Sequence, residues 1–121
     1  MKTILIVDDS ASVRQVANIT LSRGGYNVVE ASDGNDGLKK LAAGKVNLII
    51  SDVNMPGMDG LTFARAVKSQ TQYKFMPIIM LTTESGEDMK NIGRAAGVKA
   101  WIVKPFQPAT MLDAVAKLAL P

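Results

Sequence analysis

The sequence contains neither cysteine nor histidine among its 121 residues. Without cysteine there is no disulfide and no thiolate metal site, and without histidine there is no Ser-His-Asp catalysis, no imidazole-bound zinc and no histidine proton relay. Any chemistry must rest on carboxylates, hydroxyls and lysines. No apolar run approaches the ~20 residues that cross a bilayer, and no signal-peptide pattern opens the chain, so we expect a cytoplasmic protein without membrane contact.

The sequence also lacks a large excess of one charge sign. The 14 basic and 11 acidic residues give a formal net charge of +3. The densest basic group, Lys39, Lys40 and Lys45, has no interleaved aromatic residues and no recognisable reading helix. We therefore expect no nucleic-acid partner.

Strand-like and helix-like segments alternate along the chain, with no long linker or repeat between them. The strand-like segments are residues 3–7, 26–31, 46–51, 77–82 and 100–103. Three of them are nearly continuous apolar runs, as expected for a parallel sheet that helices cover on both faces. The sequence therefore predicts one α/β domain with a doubly wound (βα)5 fold around a five-stranded parallel sheet.

Apolar residues at helical spacing and terminal glycines indicate the five helices. The predicted core-facing residues are Val13, Val16, Ala17 and Leu21 before Gly24; Leu38, Leu41 and Ala42 before Gly44; Leu61, Ala64 and Val67; Met89, Ile92 and Ala96 before Gly97; and Met111, Leu112, Val115 and Leu118. Pro108 suits the first turn of the last helix.

Chemically capable residues follow four of the five predicted strands. They are Asp8 and Asp9, then Asp52 and Asn54, then Thr82, Thr83 and Glu84, and finally Lys104. Because ligands of open parallel sheets bind beyond the carboxyl ends of the strands, we expect these residues to share one edge of the sheet. Each has a structural explanation when taken alone, since acids between a strand and a helix usually cap the helix. Their convergence favours a functional site.

The three acids predict a magnesium site. Carboxylates gathered in one crevice repel each other, and a hard divalent cation relieves that repulsion. We expect Asp9 and Asp52 to bind Mg²⁺ directly and Asp8 to bind it directly or through water. The backbone carbonyl of Asn54 is a further candidate ligand.

The same residues suit phosphoryl transfer. A carboxylate beside Mg²⁺ and a lysine can attack a phosphoryl group, and positioning and charge neutralisation then supply most of the catalysis. The sequence predicts that Asp52 attacks, that Lys104 pairs with a phosphoryl oxygen, and that the Thr82 hydroxyl donates to another.

Five motifs together resemble the receiver domain of two-component response regulators, most closely its stand-alone, CheY-like chemotaxis type. They are ILIVDDS (4–10), ASDGNDGL (31–38), LIISDVNMPGMDG (48–60), PIIMLTTE (77–84) and VKPF (103–106). The resemblance covers the whole chain. It implies a flavodoxin-like fold with strand order 2-1-3-4-5, a single receiver domain over residues 1–121 without an output domain, and a cis Lys104-Pro105 bond.

The resemblance also implies roles for the residues at the strand ends. Asp52 would accept a phosphoryl group from a phosphohistidine on a CheA-like histidine kinase, with Asp8 and Asp9 as the Mg²⁺-binding acids. Thr82 would be the switch hydroxyl and Lys104 the phosphate-reading lysine. Asn54 and Glu84 would flank the path of attacking water and tune dephosphorylation, giving a short-lived phosphoryl state.

Trp101 matches the aromatic position that follows the switch hydroxyl inwards in receivers; its alternative is a half-buried residue that packs the sheet edge. The resemblance places the output surface on helix four, strand five and helix five, about residues 86–119, where Lys90 and Arg94 lie. Tyrosine is commoner at the Trp101 position, and these basic residues do not match the motor-binding pattern closely. We expect a monomeric signalling protein rather than an enzyme, in chemotaxis, with the flagellar motor switch as a candidate target.

Three alternatives stay open. A stand-alone receiver can serve as a phosphate sink or regulate another enzyme. An aspartyl-phosphate phosphatase is the enzymatic alternative, although Asn54 stands where such enzymes normally carry a second acid. A pseudo-receiver that binds partners without phosphate is the third, and the complete acid set with Lys104 argues against it.

Overall fold

The structure, a computed structural model, describes residues 1–83 and 87–121, with the backbone alone for 87–89. Its strands are β1 (Thr3–Val7), β2 (Asn27–Ala31), β3 (Leu48–Asp52), β4 (Ile78–Thr82) and β5 (Ala100–Val103). Its helices are α1 (Ala11–Arg23), α2 (Gly34–Ala43), α3 (Gly60–Lys68), α4 (Glu87–Ala95) and α5 (Pro108–Leu118), and a short 3-10 turn covers Thr71–Tyr73. In the described ranges, no helix has the length and apolar character needed to cross a membrane.

The five strands form one parallel sheet in the order β2-β1-β3-β4-β5, which confirms the predicted fold class. The register aligns the strand ends, with Asp52 beside Leu81 and Thr82 beside Val103. We call this end of the sheet the carboxyl edge and the opposite end the amino edge. Strand β3 ends one residue later than predicted, so Asp52 belongs to the strand itself.

Apolar side chains cover both faces of the sheet. One layer packs Leu5, Ile49 and Met80 against Phe63 of α3, and the other packs Ile4, Ile6 and Ile50 against Leu21 of α1 and Met111 of α5. Neighbouring residues of a strand point to opposite faces, so β1, β3 and β4 must be apolar at nearly every position. This explains the continuous apolar runs in the sequence.

Polar side chains fix the starts of three helices. Ser10 caps α1 by accepting from the Val13 amide, and Asp33 and Asp59 cap α2 and α3 in the same way. The hydrogen bond from the Thr62 amide lowers the pKa of Asp59. Because Ser10 caps α1, Asp8 and Asp9 are left for another role.

Three residues of the predicted core stripes are exposed instead. Val16 is 53% exposed and Ile92 is 45% exposed, and Ala42 also faces solvent. Among residues 90–96, the buried ones are Gly93 in α4 and Ala96 directly after it. A glycine adds nothing to an apolar stripe in the sequence, so the predicted stripe was wrongly centred on Ile92. Met89 lies among the side chains that the structure does not describe.

Asn47 ties the two ends of the chain together at the amino edge. Its Oδ1 accepts from the Thr3 amide at 2.8 Å, and its Nδ2 donates to the Leu120 carbonyl at 3.0 Å. The Leu120 amide donates back to the Asn47 carbonyl at 3.0 Å. Asn47 is 5% exposed, so these hydrogen bonds satisfy a buried amide that would otherwise be costly.

Candidate functional site

Residues from three strand ends meet at the carboxyl edge. Lys104, which follows β5, reaches across the sheet so that its Nζ lies 3.0 Å from Asp8 Oδ2 and 3.1 Å from Asp52 Oδ1. Asp8 follows β1 and Asp52 ends β3. The sheet thus joins side chains that are 96 positions apart in the sequence.

Three carboxylates form a cluster that suits a hard cation. Ligand oxygens of Asp8, Asp9 and Asp52 all lie within 4.8 Å of one another. Asp8 is fully buried and Asp52 is 6% exposed, whereas Asp9 faces solvent. A set of carboxylate oxygens open to water on one side is the donor set that Mg²⁺ prefers, so these residues fit the ion.

Asp8 accepts hydrogen bonds from the cap and the first turn of α1. Its Oδ1 accepts from the Ser10 amide at 2.9 Å, and its backbone carbonyl accepts from Arg14 Nη1 at 2.6 Å. The guanidinium of Arg14 also lies 3.3 Å from Glu30. Sequence reasoning missed Arg14, for which the one available signal was a basic residue one turn into the helix that follows the acids.

Burial and mutual charge shift the pKa values of Asp52 and Lys104. Burial raises the pKa of Asp52; the hydrogen bond from Lys104 opposes this rise, and the negative charge of Asp8 adds to it. Burial would lower the pKa of Lys104, but the hydrogen bonds and charges of Asp8 and Asp52 outweigh it and raise the pKa overall. One lysine therefore partly neutralises two buried carboxylates.

The backbone around Asp52 is packed closely against the start of α3. The Ser51 hydroxyl donates to the Asp52 carbonyl at 3.0 Å, and the Gly60 amide donates to the Val53 carbonyl at 2.8 Å. A Cβ on Gly60 would lie 2.1 Å from the Asp52 carbonyl oxygen. Sequence reasoning missed Gly60, although a glycine directly after the helix cap Asp59 was a signal for close approach.

The remaining predicted residues lie nearby or outside the described ranges. Thr82 is buried as the last residue of β4, and its carbonyl accepts from the Lys104 amide at 2.8 Å. Asn54 is exposed, with its amide 3.4 Å from Asp52 Oδ1. The Lys104-Pro105 bond is cis, as expected. Glu84 lies outside the described residues, so its predicted role stays a prediction.

Lys104 lines an apolar cleft of about 350 Å³. It lies between α1 and the segment after β5, with Val16 on one side and Phe106 on the other. Lys104 is the residue of the charged cluster that lines this cleft.

On the predicted output side, Trp101 of β5 is half-buried and packs against the core. Its indole lies directly on the backbone of α4 at Gly93, where a Cβ would come within 2.0 Å of Cζ2. Lys90 is half-buried and Arg94 is exposed on the same helix. Sequence reasoning found Trp101 and missed Gly93, because no pattern in the sequence pairs a glycine with an indole eight positions later.

Comparison with known proteins connects this geometry to a family. The response regulator receiver domain matches residues 4–116. The chain is 43% identical over 112 residues to chemotaxis protein CheY1 of Helicobacter pylori, covering 91% of this chain and 90% of that protein. It is 35% identical over 116 residues to chemotaxis protein CheY of Pseudomonas aeruginosa, covering 95% and 94%. The structure of Vibrio cholerae chemotaxis protein CheY4 superposes with a TM-score of 0.94 at 47% identity, covering 98% of both chains.

Proposed function

This chain belongs to the response regulator receiver domain family, and from that premise we propose that Asp52 accepts a phosphoryl group from the phosphohistidine of a histidine kinase. Receiver domains are the signalling modules of two-component phosphorelays. The observation that carries the proposal is the placement of Lys104, 3.1 Å from Asp52 Oδ1 at an edge shared with Asp8. A cation fixed beside the acceptor is what an incoming phosphoryl group needs.

The proposed transfer is a single displacement. An Asp52 carboxylate oxygen forms a bond to phosphorus while the phosphorus–nitrogen bond of the donor breaks, and the electron pair leaves with the imidazole. Lys104 then pairs with a phosphoryl oxygen, and the Thr82 hydroxyl donates to another. Lys104 also opposes the rise in the Asp52 pKa that burial causes, which favours the ionised nucleophile.

We propose that Mg²⁺ is held by the carboxylates of Asp8, Asp9 and Asp52 and by the backbone carbonyl of Asn54. When bound, the ion neutralises charge that develops on the phosphoryl oxygens. The exposed Asn54 leaves a path for water beside Asp52, so the phosphoryl state is short-lived in this proposal. Glu84 is the second residue proposed to tune that lifetime.

A small-molecule phosphodonor tests the proposal directly. Incubation with acetyl phosphate and Mg²⁺ is expected to add one phosphoryl group to the wild-type protein, detected by intact mass, and to change the fluorescence of Trp101. Asp52→Ala is expected to show neither change, and chelation of Mg²⁺ is expected to prevent labelling of the wild type. Rapid turnover of many phosphate monoesters would instead indicate the phosphatase, and no labelling of the wild type would indicate a pseudo-receiver.

The output in this proposal is a protein contact made by the domain itself. Residues 1–121 act as a single, monomeric receiver domain in the cytoplasm, and the surface formed by α4, β5 and α5 binds the target, with Trp101, Lys90 and Arg94 on it. The names of the chemotaxis relatives support a role in chemotaxis. The proposed phosphodonor is a CheA-like histidine kinase. The flagellar motor switch is the proposed target, and a phosphate sink or a regulator of another enzyme is the alternative.

The bare backbone of Gly93 is expected to set the position of Trp101. In Gly93→Ala the new methyl group would overlap the indole, so the ring must move toward solvent, and its fluorescence emission should shift to longer wavelength. Overpacking of this kind costs about 1–3 kcal/mol, which outweighs the ~1 kcal/mol that alanine gains over glycine in a helix. Urea unfolding and emission spectra measure both effects.

Gly44→Ala is the matched control, because in the described part of the chain no atom beyond its two sequence neighbours lies within 4 Å of the added Cβ. Labelling of Asp52 by acetyl phosphate should be unchanged in Gly93→Ala, since no residue that contacts Asp52 is altered. An emission maximum and a stability that match those of the control would show that Gly93 does not position the indole.

A further inference from the structure

A cluster of lysines surrounds a cleft at the amino edge, at the opposite end of the sheet from Asp52. The cleft has a volume of about 320 Å³ and is lined by Lys68, Lys74, Phe75, Lys99 and the small residues 95–97. We call it the lysine cleft. Lys74 and Phe75 lie just before β4 and Lys99 lies just before β5, so the sheet brings them side by side.

The lysine cleft is positively charged and lacks an internal counterion. No carboxylate lines it, and no ion pair among the residues that the structure describes involves its three lysines. Burial and the charge of Lys99 both lower the pKa of Lys68. Uncompensated like charges in a concave site are unfavourable for the free protein and become favourable once an anion enters.

Of the three lysines, Lys68 is the one that donates to backbone carbonyls among the described residues. Lys68 Nζ donates to the carbonyls of Lys74 and Met76, so it closes the end of α3 against the segment that leads into β4. Lys74 and Lys99 are exposed, and their ammonium groups form no hydrogen bond with another residue in the described ranges. Two cations at the mouth of the lysine cleft are therefore available to a ligand.

An exposed aromatic ring stands next to these cations. Phe75 is 78% exposed, and the Lys74 ammonium lies 5.6 Å from the centre of its ring. An isolated inorganic anion would make no use of that ring. The small residues Ala95, Ala96 and Gly97 also line the cleft, and the side chain of Lys68 lies against Gly97. A ligand that satisfies the whole lysine cleft carries both negative charge and an apolar group.

We propose that the lysine cleft docks an acidic segment of a partner protein. Carboxylates of the segment pair with Lys74 and Lys99, and an apolar side chain between them packs on Phe75. The docking site lies at the amino edge and uses none of the residues assigned to phosphoryl transfer. Ala95 belongs to α4, which the proposed function places on the output surface, so peptide binding is measured on the unphosphorylated protein, where its success or failure does not depend on labelling of Asp52.

A labelled peptide tests the docking site by fluorescence anisotropy. The probe is a fluorescein-labelled peptide of alternating glutamate and leucine, and its control replaces each glutamate by glutamine. The acidic probe is expected to bind the full chain, more weakly as salt rises, and the glutamine peptide is expected not to bind. Lys74→Glu/Lys99→Glu should weaken binding at least about tenfold, because two attractions become repulsions. Phe75→Ser should weaken it about threefold through lost apolar contact.

Lys39→Glu/Lys45→Glu is the matched control, since it changes the net charge equally at two positions outside the lysine cleft. Retained binding by this variant supports a local site, whereas an equal loss in both double variants shows a nonspecific charge effect and overturns the proposal. Failure of the wild type to bind the acidic peptide also overturns it. Tighter, Lys74- and Lys99-dependent binding of an oligothymidylate, or of vesicles with equal parts phosphatidylcholine and phosphatidylserine, assigns the lysine cleft to a different occupant and rejects the protein segment.

Discussion

Replacement of Lys104 by methionine is expected to lower the free energy of unfolding by about 3 kcal/mol at neutral pH without divalent cations, because one partner of a buried ion pair is lost. Methionine keeps most of the apolar stem and removes the charge. Asp8, which is fully buried, and Asp52, which is 6% exposed, would then face each other without a cation. Two buried carboxylates that have lost their shared ammonium destabilise the folded state and leave the unfolded state unaffected.

The loss should depend on pH in both directions. The raised pKa of Lys104 means that its stabilisation is present below its ordinary value of 10.5 and disappears as the pH rises through the folded-state value. At acidic pH the variant recovers, because Asp52, whose pKa burial already raises, takes up a proton and removes one of the facing charges. The difference between wild type and variant is therefore largest near neutrality and shrinks at both ends.

Urea unfolding at a series of pH values, first with a chelator and then with Mg²⁺, measures this profile. Mg²⁺ should restore part of the lost stability in Lys104→Met, since it neutralises the same carboxylates. Lys117→Met is the control, because it removes an exposed ion pair with Asp113 at 3.0 Å. Such a pair contributes about 0.5 kcal/mol or less to the free energy of unfolding. A loss in Lys104→Met that is constant with pH and insensitive to Mg²⁺ would contradict the electrostatic explanation.

Gly60→Ala is expected to destabilise the fold by about 3 kcal/mol, at the upper end of what overpacking costs. The added Cβ would lie 2.1 Å from the Asp52 carbonyl oxygen and 2.9 Å from the Val53 Cα. These are backbone atoms of β3 and the turn after it, so they cannot rotate away as a side chain would. Either α3 or the end of β3 must shift, and a shift of β3 moves Asp52 away from Lys104.

The sign of the effect makes this prediction sharp. An alanine that replaces glycine in an unobstructed helix normally stabilises it by about 1 kcal/mol. Chemical denaturation gives the stability, and the rate of labelling by acetyl phosphate reports on the position of Asp52, which should be displaced in Gly60→Ala and not in Gly44→Ala. Equal stability of wild type and Gly60→Ala, with equal labelling rates, would rule out the close approach.

Most of the fold follows from periodicity in the sequence. The apolar runs of β1, β3 and β4 are unambiguous because both faces of those strands are buried. The parallel arrangement then places the strand ends together, so the cluster of Asp8, Asp52 and Lys104 was also predictable. The strand order came from the family resemblance, since alternation of strands and helices does not determine it.

Close contacts made by glycines were not predictable in the same way. Gly60 and Gly93 matter because they lack a side chain where another group comes close, and an apolar pattern records only the side chains that are present. The exposure of Ile92 has the same origin, since Gly93 is the buried residue in the described part of α4. The sequence predicted that Lys104 pairs with a phosphoryl oxygen, and the structure shows its Nζ paired with the carboxylates of Asp8 and Asp52.

The hydrogen bonds of Asn47 with Thr3 and Leu120 determine how the molecule can be attached to a surface. Because the Thr3 amide and the Leu120 carbonyl bind the same side chain, residues at both ends of the sequence emerge beside each other at the amino edge. A biotin or a fluorescent protein joined to either terminus would therefore leave the cluster of Asp8, Asp9 and Asp52 facing the solution. The same anchor would bring the lysine cleft close to the support, so immobilised and free molecules should differ in peptide capture while remaining equal in phosphoryl uptake.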